Sequence, residues 1–307
     1  MSKPLISYVL TAYNIEEFIA ESVQYAFAQT YSPLEIILSD DCSTDKTYEI
    51  MCSMTAEYKG PHQIILNRNE SNLGITKHMN RAYLELANGD IIVSAHGDDI
   101  SFPERTQKSY DFLSANPDFT AVSFCMKAID KDGKPIPGSQ HSVLVDHMVV
   151  VDFEKGGNIP APSRAFYKSV MTEFGPLRDD CPTEDELISF RSLMFGKNAL
   201  LPGTMVLYRK HEKSSSNPVF FSKFPLEKIL LQQDADMEYA VKKGLLTEQQ
   251  RTEKYISLVR LMKIRKTYRN FLAHGSLKDF LKLICLKEID MRQRLHYFKE
   301  AILKGFR

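Results

Sequence analysis

The stretch Asp90-Ile-Ile-Val-Ser-Ala-His-Gly-Asp-Asp99 decides the fold, because it joins an apolar run to two adjacent carboxylates. The run has the length and composition of a strand that is buried on both faces, as strands of a parallel sheet are. In open α/β sheets, ligands bind at the carboxyl ends of the strands. The stretch therefore predicts a buried strand that delivers Asp98 and Asp99 to a binding edge.

The pair Asp98-Asp99 allows two interpretations. Two adjacent carboxylates after a buried strand are costly unless positive charge lies beside them. A divalent cation bound to a diphosphate would supply that charge, and Mg²⁺ or Mn²⁺ favours oxygen ligands. The alternative is a solvated turn in which one Asp caps a helix, and this motif alone leaves both interpretations open.

Outward from this stretch, strand and helix patterns alternate through the first half of the chain. Strands are predicted at 5–10, 34–38, 64–66, 90–95 and 119–129, and helices at about 45–58, 75–87 and 103–115. Asn14 and Glu17 form a capping pair that predicts one more helix, and Asn88-Gly89 predicts a helix end. Such alternation implies an α/β fold with a mostly parallel sheet and helices on both faces.

The second half predicts fewer strands and more helices. Thr183 and Glu186 form a capping box that opens a helix to about Phe195, and residues 199–208 are predicted as a strand. Three further helices are predicted near 225–243, 247–270 and 276–303. We therefore predict an α/β domain over residues 1–220 and a helical C-terminal appendage over residues 221–307.

Charge is distributed unevenly along the chain. The formal net charge is zero, which gives no support to a nucleic-acid partner, yet residues 225–307 hold 18 basic and 10 acidic residues. Segments 259–269 and 280–286 combine apolar and basic residues at helical spacing, as in a peripheral membrane anchor. The alternatives are an appendage packed on the α/β domain or a homodimer contact, and the sequence leaves all of them open.

The pattern of cysteines and apolar runs indicates the cellular compartment in which we expect the protein. The five cysteines are odd in number and form no C-x-x-C pair, which indicates reduced thiols rather than a zinc site or a disulfide framework. No signal-peptide pattern follows Met1, and no stretch approaches 18 apolar residues. We expect a cytoplasmic protein, with peripheral contact to the inner face of the plasma membrane if the basic tail is an anchor.

A second acidic pair, Asp40-Asp41, ends the second predicted strand. Residues 43–45 (Ser-Thr-Asp) offer N-cap chemistry for the next helix, a role that leaves the two preceding acids unexplained. A carboxylate at that strand end could accept a hydrogen bond from a base N–H or from a ribose hydroxyl.

Taken together, the motifs resemble the family-2 inverting glycosyltransferases of the GT-A fold, over roughly residues 4–217. Seven motifs in order carry the resemblance: Ser7-Tyr-Val-Leu-Thr-Ala-Tyr-Asn14, Gln29-Thr-Tyr31, Asp40-Asp-Cys-Ser-Thr-Asp45, Asn72-Leu-Gly74, Gly97-Asp-Asp99 with Pro103-Glu-Arg105, Glu184-Asp185, and Tyr208-Arg-Lys-His-Glu-Lys-Ser214. Each motif is weak alone, whereas seven in the correct order and spacing make a strong match.

The resemblance implies a set of residues that bind a nucleotide-sugar donor. That set is Thr11, Ala12 and Tyr13 lining the nucleotide pocket, Asp41 accepting from the base, Asn72 and Gly74 shaping the loop near the ribose, and Asp98 contacting the ribose or the sugar. It also implies a divalent metal, Mn²⁺ or Mg²⁺, on Asp99, with His211 near the metal or the diphosphate. Asp185 would be the general base.

Two positions depart from the family pattern. His96 stands where a further Asp is common, so the metal motif has one carboxylate fewer. Met79 stands where an Arg often precedes Asn80. Lys77 would then have to supply the basic group of the nucleotide-sugar site.

The resemblance implies a hexosyl- or N-acetylhexosaminyltransferase that uses a nucleotide-diphosphate sugar, by family frequency a UDP-sugar. The acceptor would be a saccharide or a lipid-linked saccharide, as in assembly of bacterial O-antigen or capsule polysaccharide. The metal would stabilise the leaving diphosphate, and a carboxylate must take the proton of the attacking hydroxyl. Asp185, in the first turn of a predicted helix, would be held ionised by the helix dipole. The alternative for Glu184 and Asp185 is simple stabilisation of that helix start.

Two other enzyme classes are excluded by the first strand end. A sugar nucleotidyltransferase or a dehydrogenase would need a glycine-rich phosphate loop where this chain has Thr11-Ala-Tyr-Asn14. The alternative that remains is a non-catalytic nucleotide-sugar or saccharide-binding protein of the same fold.

Overall fold

The computed structural model describes residues 3–139, 141–154, 156–212, 225–274, 276–287, 289 and 294. The chain divides into two compact units, Met1–Ser214 and Ser215–Arg307. The domain boundary predicted at residue 220 lies outside the described residues.

Nine strands of the described part form one mixed sheet in the first unit. They are β1 (Ile6–Ala12), β2 (Leu34–Asp40), β3 (Gln63–Arg68), β4 (Ile91–His96), β5 (Ile100–Ser101), β6 (Phe119–Ile129), β7 (Val149–Val151), β8 (Ala165–Tyr167) and β9 (Lys197–Arg209). Their order is β3-β2-β1-β4-β8-β6-β9-β5, and β7 pairs with β9.

Helices connect and follow these strands. They are α1 (Ile19–Phe27), α2 (Thr47–Glu57), α3 (Ile75–Asn80), α4 (Arg105–Ala115), α5 (Ser169–Thr172), α6 (Asp185–Leu193), α7 (Leu226–Lys242), α8 (Glu248–His274) and α9 (Leu277–Ile284). A π-helical segment, Arg81–Leu86, continues α3. The predicted α/β fold with C-terminal helices is confirmed.

The predicted parallel sheet forms one half of the observed sheet. β3, β2, β1 and β4 pair in parallel, and every residue of β1 and β2 is buried. The other half contains β8, which runs antiparallel to both β4 and β6. This strand has only three residues, too few to show a periodicity, so the sequence did not predict it.

The capping prediction at Asn14 was wrong. Helix α1 begins at Ile19, and Asn14 has a positive φ of 51°. Its side-chain oxygen instead accepts a hydrogen bond from the backbone N–H of Thr44 at 2.8 Å. Asn tolerates this backbone region because its short polar side chain bonds locally. The residue therefore joins the loops after β1 and β2 instead of starting a helix.

The second unit contains α7, α8 and α9. Ion pairs Glu227–Lys266 at 2.7 Å and Asp234–Arg251 at 3.1 Å link α7 to α8. A small apolar cluster of Phe271, Phe280, Leu283 and neighbouring side chains packs α9 against α8. No helix in the described part of the chain is long and apolar enough to cross a membrane.

Gly89 is required by close packing rather than by a helix end. A Cβ atom at this position would lie 2.6 Å from the backbone N of Ser7 and 2.7 Å from the carbonyl carbon of Ile6. Its own N–H donates to Ser7 Oγ at 2.8 Å. The glycine therefore lets the start of β4 approach the start of β1.

We predict that Gly89→Ala destabilises the fold by about 3 kcal/mol, because the added methyl group meets backbone atoms that no rotamer change can move away. Gly138→Ala is the control, since a Cβ there meets nothing within 4 Å and only its positive φ of 67° is strained. That strain costs about 1–2 kcal/mol. Urea unfolding of both variants measures the difference, and equal losses would contradict the packing argument.

Candidate active site

The motifs that follow β1, β2 and β4 meet at one edge of the sheet. Ala12 pairs in register with Asp40, and Thr11 pairs with His96. The backbone N–H of Asp41 donates to the Ala12 carbonyl at 2.9 Å, and that of Gly97 donates to the Thr11 carbonyl at 2.9 Å. The strand ends therefore bring together the residues that the sequence singled out on three separate segments.

Asp41 holds a loop through both of its carboxylate oxygens. Oδ1 accepts from Asn69 Nδ2 at 2.7 Å and from the Leu73 N–H at 2.9 Å, and Oδ2 accepts from the Gly74 N–H at 2.9 Å. Gly74 has a φ of 76°, which favours glycine. Asp41 therefore positions the loop that carries exposed Asn72. The sequence did not predict this role.

Tyr13 is the exposed member of the predicted nucleotide pocket. Its exposed fraction is 46%, whereas Thr11 and Ala12 are buried at the end of β1. Its loop is held to the next one by the Asn14 N–H, which donates to Ser43 Oγ at 2.9 Å. Tyr13 thus offers an aromatic face on a fixed backbone, which suits stacking against a base.

Two basic side chains lie in the segment that follows this loop, Lys77 and Arg81. Met79 is buried, and Lys77 Nζ lies 3.0 Å from Asp179 Oδ2 on the surface. Arg81, one turn further on, donates from Nη1 to Asn69 Oδ1 at 3.0 Å. Arg81 is thus the basic side chain in contact with the loop that Asp41 holds, and the sequence analysis missed it.

Three potential metal ligands lie at the end of β4. One ligand atom each of His96, Asp98 and Asp99 lies within 4.8 Å of the others. His96 Nε2 and Asp99 Oδ2 are buried and have no hydrogen-bond partner among the described residues. Buried polar atoms without partners are rare and costly, so a ligand that pairs with them fits this site. A divalent cation meets that requirement.

Asp98 and Asp99 differ in accessibility and partners. The Asp98 side chain is 23% exposed and that of Asp99 is 3% exposed. Asp99 Oδ1 accepts from the backbone N–H of Arg209 at 2.9 Å, and this bond fixes the end of β9. Asp98 is therefore the carboxylate that an incoming ligand reaches more easily.

The two carboxyls also differ in charge state. Burial raises the pKa of Asp99 well above its ordinary value, and the neighbouring charge of Asp98 adds to the rise. Burial also raises the pKa of Asp98, but the hydrogen bond from His211 and the His96 imidazole outweigh it and leave that pKa below its ordinary value. A bound cation would favour the ionised form of both carboxyls.

His211 lies in contact with the acidic motif. Its Nε2 atom donates to Asp98 Oδ2 at 3.0 Å, and its ring packs against Phe18 with centroids 4.7 Å apart. The Arg209 guanidinium lies 5.0 Å from the Phe18 ring centroid and donates from Nε to the Asp98 carbonyl at 3.0 Å. The structure thus brings the segment after β9 to the metal motif, where the family resemblance placed His211.

Asp185 begins helix α6, and its carboxyl is 41% exposed. Arg164, which is fully buried, donates from Nη1 to the Asp185 carbonyl at 2.6 Å, and its Nη2 lies 3.9 Å from Asp185 Oδ1. The preceding Glu184 is buried, and its Oε2 has no partner among the described residues. Burial, together with the charge of Asp185, raises the pKa of Glu184 well above its ordinary value. A partly exposed carboxyl therefore lies next to a buried one whose ionised form is disfavoured.

Four residues contact the predicted site in ways that the sequence did not predict. His96, Arg105 and Arg209 belong to stretches that the sequence singled out, whereas Arg164 belongs to none of them. The signal for His96 was present, since a histidine two residues before Asp98 keeps a ligand atom where the family has a carboxylate. No local pattern marks Arg164, whose hydrogen bonds to Asp185 and Arg105 span 21 and 59 residues of the chain.

Comparison with known families agrees with this geometry. The model of the family described as Glycosyl transferase family 2 matches residues 7–175, more than half of the chain. The chain belongs to glycosyl transferase family 2. It is 36% identical over 132 residues to the putative glycosyltransferase EpsE of Bacillus subtilis, covering 43% of this chain and 46% of EpsE. The chain thus matches about half the length of this curated relative.

Two solved structures share the fold. S. aureus TarS 1-349 in complex with UDP matches with a TM-score of 0.65 and 17% identity, covering 97% of this chain and 80% of that chain. The mannosyltransferase PcManGT from Pyrobaculum calidifontis, in complex with GDP-Man and Mn²⁺, matches with a TM-score of 0.56 and 15% identity, covering 99% and 87%. At these identities the matches establish the GT-A fold.

We predict that Glu184→Gln changes how stability depends on pH. The folded state raises the pKa of Glu184 from 4.5, so folded Glu184 keeps its proton at pH values at which Glu184 of the unfolded chain loses it. The free energy of unfolding therefore falls as pH rises above the ordinary carboxyl range. The amide cannot ionise and lacks this decline. The variant's melting temperature minus that of the wild type should therefore increase from about pH 5 to about pH 8.

Glu104→Gln removes one charge at an exposed position and serves as the control for this measurement. Parallel curves for wild type and Glu184→Gln across that range would mean that Glu184 is ionised in the folded protein.

Proposed function

We propose that this chain is an inverting glycosyltransferase that moves a sugar from a nucleotide-diphosphate sugar, a UDP-sugar, to a saccharide or lipid-linked saccharide acceptor. The observation that carries the proposal is the group of His96, Asp98 and Asp99, two of whose buried ligand atoms have no partner among the described residues. This group lies at the sheet edge where the nucleotide loops converge.

The metal in this proposal is Mn²⁺ rather than Mg²⁺. Carboxylates suit both ions, but Mg²⁺ is a hard cation that takes oxygen ligands, so the imidazole of His96 disfavours Mg²⁺ at this site. We assign the more accessible Asp98 and the imidazole of His96 as metal ligands. Buried Asp99 is the third proposed ligand. A bound Mn²⁺ supplies Lewis-acid stabilisation of the diphosphate leaving group. The complex of the structural relative PcManGT with GDP-Man and Mn²⁺ supports this choice.

The donor would lie across the loops that follow β1 and β2. Tyr13 offers its exposed face to the base, and the loop fixed by Asp41 presents Asn72 and Gly74 to the ribose. Thr11 and Ala12 form the buried floor of the pocket. Arg81 replaces Lys77 as the basic group of this loop, because its guanidinium already contacts Asn69. The UDP bound to S. aureus TarS supports a uridine nucleotide.

Asp185 takes the proton of the acceptor hydroxyl in this proposal. Asp185 begins helix α6, and its partly exposed carboxylate lies beside a buried guanidinium, a position that suits a base. The hydroxyl oxygen attacks the anomeric carbon as its proton moves to Asp185, and the bond from that carbon to the diphosphate oxygen breaks on the opposite face.

We predict nucleotide-sugar binding that depends on Mn²⁺. UDP-sugars with Mn²⁺ should raise the melting temperature more than UDP-sugars with Mg²⁺ or with a chelator, because a ligand that binds the folded state stabilises it by mass action. Asp98→Asn should remove the Mn²⁺-dependent part of the shift, whereas Asp179→Asn, on the surface ion pair with Lys77, should keep it. A panel of donors that gives neither binding nor release of nucleotide would overturn the enzyme proposal.

We also predict separate effects on binding and on transfer. Asp185→Asn should keep the donor-induced thermal shift and lower the rate of transfer by about 10²–10⁴-fold, the range for loss of a general base. Loss of donor binding in this variant would assign Asp185 to the donor site. Donor binding without transfer in the wild type, across a set of saccharide acceptors, would favour a non-catalytic binding protein.

A further inference from the structure

Arg164 connects the strand of the acidic motif with the helix that carries Asp185. Its backbone carbonyl accepts from the Ser94 N–H at 3.0 Å and from Arg105 Nη2 at 3.2 Å. Its guanidinium donates from Nη1 to the Asp185 carbonyl at 2.6 Å. One residue therefore has its main chain fixed to β4 and its side chain fixed to the start of α6.

The guanidinium of Arg164 is buried but only partly hydrogen-bonded. The residue is fully buried, yet Nε and Nη2 have no hydrogen-bond partner among the described residues. Burying a charge with unsatisfied donors costs several kcal/mol unless an opposite charge lies near. The nearest carboxylate is that of Asp185, whose Oδ1 lies 3.9 Å from Nη2. This distance exceeds a hydrogen bond, so the contact is an electrostatic one.

The other carboxyl next to Arg164 is less suited to balance its charge. Glu184 is buried, and burial together with the charge of Asp185 raises its pKa well above the ordinary value. Burial thus disfavours the ionised form of Glu184, so Asp185 is the carboxylate better placed to balance the charge of Arg164. The aromatic ring of Phe166 lies 5.9 Å from Arg164 Cζ, within the range of a cation–π contact.

We propose that Arg164 is a positioning residue for sugar transfer, which holds the backbone and the carboxylate of Asp185 in fixed relation to the strand that carries Asp98. This inference rests on the proposed function, in which Asp185 accepts the proton of the acceptor. Its consequence is that Arg164 acts on the transfer step and not on donor binding. A displacement of a catalytic group by about 1 Å lowers a rate by about 10²-fold.

The test compares Arg164→Met and Arg164→Lys with a matched control, Arg191→Lys. Arg191 is as buried as Arg164 and lies on helix α6, the helix that Asp185 begins. It donates to the Gly175 carbonyl at 2.7 Å, which belongs to a different segment from the acidic motif. Each variant is measured for its melting temperature, for the KM of the UDP-sugar with Mn²⁺, and for kcat per folded enzyme.

Arg164→Met should lower kcat by about 10²-fold while the donor KM stays within about twofold. Arg164→Lys keeps the charge but cannot donate to the Asp185 carbonyl in the same planar geometry, so it should recover part of that loss. Arg191→Lys should lower the melting temperature and keep kcat. If Arg164→Met does not fold, the Lys variant carries the comparison with Arg191→Lys.

Two results would overturn the inference. One is a kcat of the Arg164 variants within about threefold of the wild type, and the other is a loss of kcat that Arg191→Lys reproduces. Asp185→Asn, measured alongside, separates this failure from failure of the proposed function. If Asp185→Asn is inactive and the Arg164 variants are active, only the positioning role of Arg164 is rejected. If Asp185→Asn is fully active, both the base role of Asp185 and the positioning role of Arg164 are rejected.

Discussion

The structure depends on the burial of positive charge beside the acidic motif. Arg105, at the start of α4, is fully buried, and its guanidinium donates to Ser101 Oγ at 2.7 Å and to the carbonyls of Ser94 and Arg164. A buried charge is tolerated only when it is paired and hydrogen-bonded. The favourable charge interaction of Arg105 with Asp99 offsets part of the cost of burying both residues. Asp99 Oδ2 still has no hydrogen-bond partner among the described residues, so the acidic strand end keeps a place for a ligand while it presents Asp98 to one.

A short antiparallel strand lies in the middle of the sheet, close to the same buried charges. β8 pairs with β4 and with β6, so it joins the parallel half of the sheet to the half that contains β6, β9 and β5. Arg164 directly precedes β8, and its carbonyl receives both Ser94 and Arg105. The three-residue strand is thus fixed by charge and hydrogen bonding at its first end. Three residues are enough for β8 because it pairs with a neighbouring strand on each of its two edges.

The parallel half of this fold and its binding edge could be predicted from the sequence, because each strand is an apolar run that ends in polar residues. Phe119–Ile129 was predicted with the observed bounds of β6. The middle segment could not be predicted, since β7 and β8 each have three residues and their partners are distant in sequence. For the site, local motifs located Asp41 and Asp98 but not their partners. Asp41 accepts a hydrogen bond from Gly74, which lies 33 residues later in the chain, and no spacing rule predicts so distant a contact.

The segment after β9 and the acidic pair hold each other in place, and this has a consequence for metal binding. Asp99 accepts from the backbone of Arg209, and Asp98 accepts from His211, so the carboxylates fix the segment at two points. A carboxylate has two oxygens with about four lone-pair sites, so Asp98 could bind a cation while its Oδ2 atom keeps the hydrogen bond from His211. The charge of that cation would then reach residues 209–211 through the shared carboxylate, because binding can shift only what it contacts differently in two states. In this arrangement His211 would orient Asp98 for the proposed metal without being displaced from it.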